Sequence, residues 1–249
     1  MNSPQLTYYH LGSHIVAFST MRHGGCSRGN YASFNINAYC GDDPASISEN
    51  RHALAALLAI DEGHIVMPHQ VHGTVVRKID GPQPEALEGV DAVMTDAPRL
   101  CIGVSTADCI PVLLYDEVHH AVCAIHAGWR GTVKRIVRIA VQAMCDTYGS
   151  DPFQLKAVIG PGISLESFEV GDEVYQQFAD AGFDMSVISQ RFAKWHIDLP
   201  SCNRQQLSEV GVKDIYMSGI CTYQRYDDYF SARRLGINSG RIFTGIMLR

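Results

Sequence analysis

The chain has 249 residues, 46% of them hydrophobic, enough to bury a full core, and its formal charge of −6 leaves no basic surface for nucleic acid. Lys and Arg are scattered, and no apolar run approaches the roughly 18 residues of a membrane span. The opening "MNSPQLTYYH" lacks the charged start and apolar centre of a signal peptide, so the expectation is a cytoplasmic protein with no nucleic-acid or membrane partner. Eight cysteines, none in a CxxC pair, read as reduced and mostly as small buried hydrophobes.

In chain order, "HIVAFSTM" (14–21) reads as a strand running into the glycine-rich loop "RHGGCSRGNYAS". "DDPASISENRHALAALLAI" supplies an acidic, Ser-containing helix start and then Leu54, Leu57 and Leu58 at helical spacing. "HIVMPHQVHGTVVRKI" is a pair of β-rich runs broken at "PHQVHG", "RLCIGVSTADCIPVLLYD" gives two more around "STADC", and "HAVCAIHAG" another. A helix is expected from Gly131, with Thr132 as N-cap, Val133, Ile136, Val137, Ala140 and Met144 on one face, and Gly149 as its end. Then come the strand "KAVIGPGI", helices "DEVYQQFADAG" and "NRQQLSEVG", and strands "DIYMSG" and "RIFTGIML". No repeat or linker divides them. The pattern predicts one domain over 1–249, of α+β or layered α/β class, with helices outside packed sheets. Periodicity does not order the strands.

Three segments carry unusual chemistry: "HQVHG" (69–73), "STADC" (105–109) and "IHAGWRG" (125–131). Each lies where an apolar run stops, where side chains can project into a cleft while the strand holds the backbone still. Together they offer His69, His72, Cys109 and His126, the ligand types that zinc and other borderline-soft ions take. Three such ligands would leave a fourth position for water or substrate. A single His at a strand end is more commonly a hydrogen-bonded turn residue, so the metal reading rests on three of them meeting. His69, after Pro68, is the competitor to His72, a partner behind the ligands, or simply exposed. Asp108 beside Cys109 is either a proton shuttle or the cap of its turn.

Those segments, with "TADCIPVLL", "IHAGWRGTVKRIV", "IGPGIS…FEVGDEV", "DLPSCNRQQL", "YFSARRLG…GR" and the N-terminal "FSTMRHGGCSRGNYASFNINAYCGDDPASISENR", resemble the successive signatures of one family. It is the laccase-domain family, also called polyphenol-oxidase-like or peptidoglycan editing factor proteins, whose members are described as purine nucleoside phosphorylases. The resemblance covers nearly the whole chain. It implies a four-layer α/β/β/α fold and one zinc held by His72, Cys109 and His126 in a surface pocket. It also implies purine nucleosides and phosphate as partners: phosphorolysis of adenosine, inosine and methylthioadenosine, and deamination of adenosine. Gly162 of "GPGIS" stands where relatives often carry Cys or Ala, while the three ligand positions are intact.

Zinc on two neutral imidazoles and a thiolate would keep a charge near about +1 and lower the pKa of bound water from about 15.7 to about 7. Hydroxide delivered to C6 of adenosine gives deamination, and phosphate delivered to C1′ gives phosphorolysis. Arg130, just ahead of a helix N-terminus, is the expected phosphate contact, with Arg22 and Arg51 as further anion candidates. Trp129 either stacks on the purine or covers the core. Other readings stand beside this one. Cu2+ on the same ligands would make a single-copper polyphenol oxidoreductase. The paired HxH motifs of a multicopper oxidase, and the H-x-E and P-C-x-x-C of the classical zinc deaminases, are absent. Cys109 activated by His126 or His72 would be a thiol hydrolase. That chemistry suits the editing role the resemblance also implies, removal of misincorporated L-Ser from a UDP-MurNAc precursor. A non-catalytic binding module would leave a thiolate beside two imidazoles unexplained.

Overall fold

The computed structural model describes residues 3–82 and 87–249. The first half runs β1 (Leu6–Tyr9), β2 (Ile15–Thr20), α1 (Pro44–Leu58), β3 (Ile65–Val66), β4 (Val76–Lys78), β5 (Ala92–Thr95), β6 (Cys101–Thr106), β7 (Ile110–Asp116) and β8 (Ala121–Ala127). Then follow α2 (Trp129–Val133), α3 (Ile136–Tyr148), β9 (Lys156–Ile159), β10 (Glu169–Val170), α4 (Asp172–Asp180), α5 (Met185–Ile188) and β11 (Ser189–Arg191). The chain closes with β12 (Trp195–Ile197), α6 (Leu199–Glu209), β13 (Asp214–Met217), α7 (Ala232–Leu235) and β14 (Ile242–Leu248). Among the described residues no helix is long and apolar enough to cross a membrane.

Two large mixed sheets form the centre, ordered β1-β2-β14-β6-β3 and β13-β9-β7-β8-β5-β4, with a small antiparallel sheet β10-β12-β11 beside them. The apolar runs "CIGVST", "IPVLLYD", "AVCAIHA" and "IFTGIML" are buried at every residue because each of these strands is covered on both faces. Alternation then sorts their side chains. In β7, Leu113 and Tyr115 enter the core between the sheets, with Ile102, Val104, Ile246, Val122 and Val158. Val112 and Leu114 point the other way, into a core closed by Ile136, Val137, Ala140 and Met144 of α3. On the far side, Leu54, Ala55 and Leu58 of α1 cover Phe18, Cys101 and Phe243 of the five-stranded sheet. The layers are α/β/β/α, as the resemblance implied. Each fully buried Leu, Ile, Val or Phe contributes about 1.5–3 kcal/mol to that packing.

Local chemistry sets most helix ends. Asp43 caps α1 by accepting from Ser46 N at 3.1 Å, and Asp198 caps α6 by accepting from Ser201 N at 2.9 Å. Gly149 closes α3 at φ 74°, as expected. The helix expected from Gly131 with Thr132 as its cap is different. It starts earlier, at Trp129, and is broken at Arg135, which takes a left-handed φ of 63° before α3 begins. Thr132 lies inside α2, buried, with its hydroxyl donating back to Ala127 O at 3.5 Å rather than to a helix N-terminus. Gly128 holds the N-cap position instead.

The pairing of β3 and β4 decides where the site forms. β3 lies parallel to β6 in the five-stranded sheet, and β4 lies parallel to β5 in the six-stranded one. The segment carrying "PHQVHG" therefore crosses from one sheet to the other. The "ADC" turn between β6 and β7 makes the same crossing a second time.

Candidate metal centre

His72, Cys109 and His126 meet at this seam. His126 is the penultimate residue of β8, buried, with its ring Nδ1 2.8 Å from Asp91 Oδ1. Cys109 sits directly before β7, after Asp108, whose φ is 83°. His72 itself has φ 60°. Left-handed backbone at two non-glycine residues costs on the order of 1–3 kcal/mol each, so the surroundings must enforce it. At His72 the enforcer is Asp91, a fully buried carboxylate just ahead of β5. It accepts the backbone N–H groups of Val71 at 3.3 Å, His72 at 2.9 Å and Gly73 at 2.7 Å. One side chain thus aims the ring of one candidate ligand and shapes the loop of another.

The donor atoms converge. Cys109 Sγ lies 3.6 Å from His72 Nε2, the two imidazoles stand edge to face with centroids 4.7 Å apart, and one donor atom from each residue lies within 4.8 Å of the others. Among the described residues this is the group of His, Cys, Asp or Glu close enough to share an ion. Gly128 leaves the space open: a Cβ there would stand 2.6 Å from His72 Cδ2 and 3.1 Å from Cys109 Sγ. Because Nδ1 of His126 faces Asp91, its Nε2 is left for the site. The donor set fits a borderline-soft cation.

The electrostatics agree with that fit. Burial would push the Cys109 thiol up, but the imidazoles of His126 and His72 outweigh it and hold the thiol down at about 6. Burial would likewise lower His126, yet the Cys109 thiolate and the Asp91 carboxylate raise it to about 9. Burial also opposes ionisation of Asp91, and His126 with the loop N–H groups overrides it, keeping the carboxyl below its usual range. The two shifts favour a thiolate against an imidazolium, and a cation bound here would take the place of that proton.

The three side chains open into a cleft of roughly 190 Å³, lined also by Tyr39, His69, Gln70, Ser105, Ile237 and Arg241. Gln70 pins the loop to the end of β6: its amide oxygen accepts from Ser105 N at 2.7 Å and its Nε2 donates to Ser105 O at 2.8 Å. His69 is not among the converging donors. It stacks flat on Tyr39, centroids 4.1 Å apart at 16°, and its Nδ1 lies 2.6 Å from Glu88 Oε2.

The remaining expected residues are engaged elsewhere. The Asp108 carboxylate accepts from Thr222 Oγ1 and from Arg233 N, both at 2.7 Å, which matches a turn anchor. Arg22 donates to Ala32 O and Tyr226 O, and its guanidinium lies over Phe230. Arg51 donates to Ile65 O and pairs with Glu62. Arg130 is exposed and lies 4.3 Å over the ring of Trp129, itself packed against the core under α3. None of these four lines the cleft. Gly128, with Gly131 expected from the sequence to let the chain turn after His126, is where that turn is made, whereas Asp91, Tyr39, Gln70 and Arg241 were not among the expected site residues. A carboxylate opening the apolar run "VDAVMT" was the visible sign of Asp91.

Over residues 16–249 the sequence matches the family model described as multi-copper polyphenol oxidoreductase laccase. The chain belongs to this family. A relative from Bacteroides thetaiotaomicron, named purine nucleoside phosphorylase, is 47% identical over 249 residues, covering 95% of this chain and 92% of its own. A second, adenosine deaminase RL5 from an unknown prokaryotic organism, is 42% identical, covering 93% of each. The solved structure of the hypothetical protein YfiH from Bacillus licheniformis superposes with a TM-score of 0.94 at 28% identity, over 99% of this chain and 97% of that one. The mixed α+β fold is thus that of a laccase-family, YfiH-type protein, and curated relatives carry the names of enzymes.

Proposed function

We propose that the protein is a zinc-dependent purine nucleoside phosphorylase that also deaminates adenosine, with His72, Cys109 and His126 as the metal ligands. The observation that carries this reading is the convergence of two imidazoles and a thiolate at the floor of a cleft whose wall presents an aromatic ring. The enzyme names of the relatives support it. A bound divalent ion would supply positive charge for the reacting oxygen atoms. The chain does the rest. Asp91 fixes the His126 ring and the His72 loop, so the ligands need no rearrangement. Tyr39, backed by His69, offers its free face to a purine. In phosphorolysis a phosphate oxygen bonds to C1′, the C1′–N9 bond breaks, and the base keeps the electron pair and takes the proton the phosphate gives up. In deamination water adds at C6 and ammonia leaves. These substrates fit a cytoplasmic protein.

The test is metal analysis of wild type and Cys109→Ser, with both incubated with adenosine and phosphate. The expected result is one equivalent of zinc, with adenine, ribose 1-phosphate and inosine formed, and loss of metal and turnover together in the variant. Full turnover by metal-free protein would refute it. Copper in the same site would point instead to the single-copper oxidoreductase.

One observation favours a second reading. The low Cys109 thiol pKa beside His72 also suits a nucleophile for amide hydrolysis, as in release of L-Ser from a UDP-MurNAc precursor. A covalent acyl adduct on Cys109 in metal-free protein would establish it, and protection of Cys109 from alkylation by bound metal would exclude it.

A further inference from the structure

Phosphorolysis needs an oxyanion held beside the nucleoside, and Arg22, Arg51 and Arg130 do not line the cleft. Arg241 does. Among the described lining residues it is the one Arg or Lys, and no Asp or Glu joins it, although the chain as a whole carries a net −6. The arginine ion pairs among the described residues are those of Arg51, Arg135, Arg138 and Arg225, so the charge of Arg241 is not neutralised by a carboxylate.

Its position is fixed from both ends. The backbone N–H donates to Asn35 Oδ1 at 3.1 Å, and the next residue opens the fully buried β14. At the head, Nη1 donates to the carbonyls of Ser239 and Gly240 and lies 3.3 Å from Ser239 Oγ, and Nη2 donates to the carbonyl of Ile237 at 2.8 Å. A guanidinium has five N–H donors. Both Nη1–H groups and one Nη2–H are engaged there, so among the described residues the Nε–H and one Nη2–H have no partner, enough for a two-point contact to an oxyanion. The carbonyl clamp orders this side chain before any ligand arrives, which lowers the entropy lost on binding.

We propose that Arg241 is the phosphate-binding residue of the cleft, taking inorganic phosphate as co-substrate. This rests on the phosphorylase reading for its purpose but not for its test. Inorganic phosphate is titrated calorimetrically into the metal-loaded wild type and into Arg241→Gln, Arg241→Lys and Arg130→Gln, and KM for phosphate and for adenosine is measured on each. Arg241→Gln should bind phosphate roughly 10–100-fold more weakly and raise its KM equally, with metal content and the adenosine KM unchanged. Arg241→Lys, which keeps the charge but not the fork, should fall between, and Arg130→Gln should match wild type. Wild-type phosphate affinity in Arg241→Gln would overturn the assignment. So would an equal loss of adenosine binding, the sign of a merely collapsed loop, or a cleft that takes adenosine 5′-monophosphate but not free phosphate. If wild type binds phosphate through Arg241 yet leaves nucleosides intact, the assignment stands and the phosphorylase reading fails.

Discussion

Replacing Asp91 tests the preorganisation of the proposed metal site directly. Oδ1 of Asp91 bridges His126 Nδ1 at 2.8 Å and His72 N at 2.9 Å, while Oδ2 takes Val71 N at 3.3 Å and Gly73 N at 2.7 Å. Asp91→Asn keeps the shape and one acceptor oxygen but turns an NH2 toward two donors that it cannot satisfy. Each charge-assisted bond of this kind contributes about 1.5–3 kcal/mol, so losing two from a fully buried carboxylate should cost about 3–5 kcal/mol of stability. The His126 ring and the His72 loop also lose their common anchor, which should weaken metal binding by roughly 10–100-fold. Urea unfolding of metal-free protein reads the first quantity and titration against a competing chelator the second. The pH dependence follows from the sign of the shift. The folded carboxyl lies below its usual range, so its stabilisation is complete above the unfolded value and disappears as pH falls through the lowered folded one. Asp91→Asn should lack that part of acid unfolding. A variant within about 0.5 kcal/mol of wild type, with unchanged metal affinity, would place Asp91 outside the range expected for a buried anchor and refute the argument.

Three further outcomes follow from the same geometry. In metal-free protein, thiolate absorbance that Cys109→Ser abolishes should titrate with a midpoint at about 6 and vanish as a titration once metal is bound; a midpoint in the ordinary thiol range would contradict the charge pairing with His126. Gly128→Ala is permitted by its backbone, φ −67° and ψ 165°, so its effect should come only from the Cβ pressed against His72 and Cys109. Metal affinity should fall by about tenfold or more at a stability cost of about 1–3 kcal/mol, and unchanged metal binding would show that the site yields freely. Tyr39→Ala should raise the adenosine KM by roughly 2–10-fold, consistent with about 0.5–1.5 kcal/mol for an aromatic contact, while Tyr39→Phe stays near wild type; equal effects on the phosphate KM would argue against a base platform.

The layers were legible where burial is complete. The runs in β6, β7, β8 and β14 are apolar because both their faces are covered, and α3 shows its inward face at Ile136, Val137, Ala140 and Met144. Strand order was not legible: β14, at the end of the chain, lies between β2 and β6, a pairing set by partners more than a hundred residues away. The break between α2 and α3 was hidden for another reason. Arg135 takes a left-handed turn that nothing in "TVKRIV" announces, and its guanidinium is held by Ala181 O, 46 residues on. The converging ligands could be singled out because His and Cys at strand ends are chemically conspicuous. The carboxylate in "VDAVMT" marks Asp91 as unusual but not its role, which depends on backbone N–H groups from residues 71–73, and Arg241 could not be singled out, since only the fold brings it to the cleft.

The two crossings from the five-stranded sheet to the six-stranded one, β3 to β4 and β6 to β7, explain why His72 and Cys109 sit where they do. A chain leaving one sheet for the other must abandon the extended backbone, and both crossings do so through a residue at positive φ, His72 in the first and Asp108 in the second. Each crossing is then tied down by a carboxylate. Asp91 gathers the N–H groups around His72, and Asp108 reaches across to Thr222 and to the start of α7, while its own carbonyl accepts from Ile163 N at 2.8 Å. The half-buried Asp108 therefore sets the position of Cys109 without facing the cleft, and its removal should act on metal binding rather than on any proton-transfer step. Irregular backbone at the seam carries the chemistry, and the regular strands on either side of it hold that backbone still.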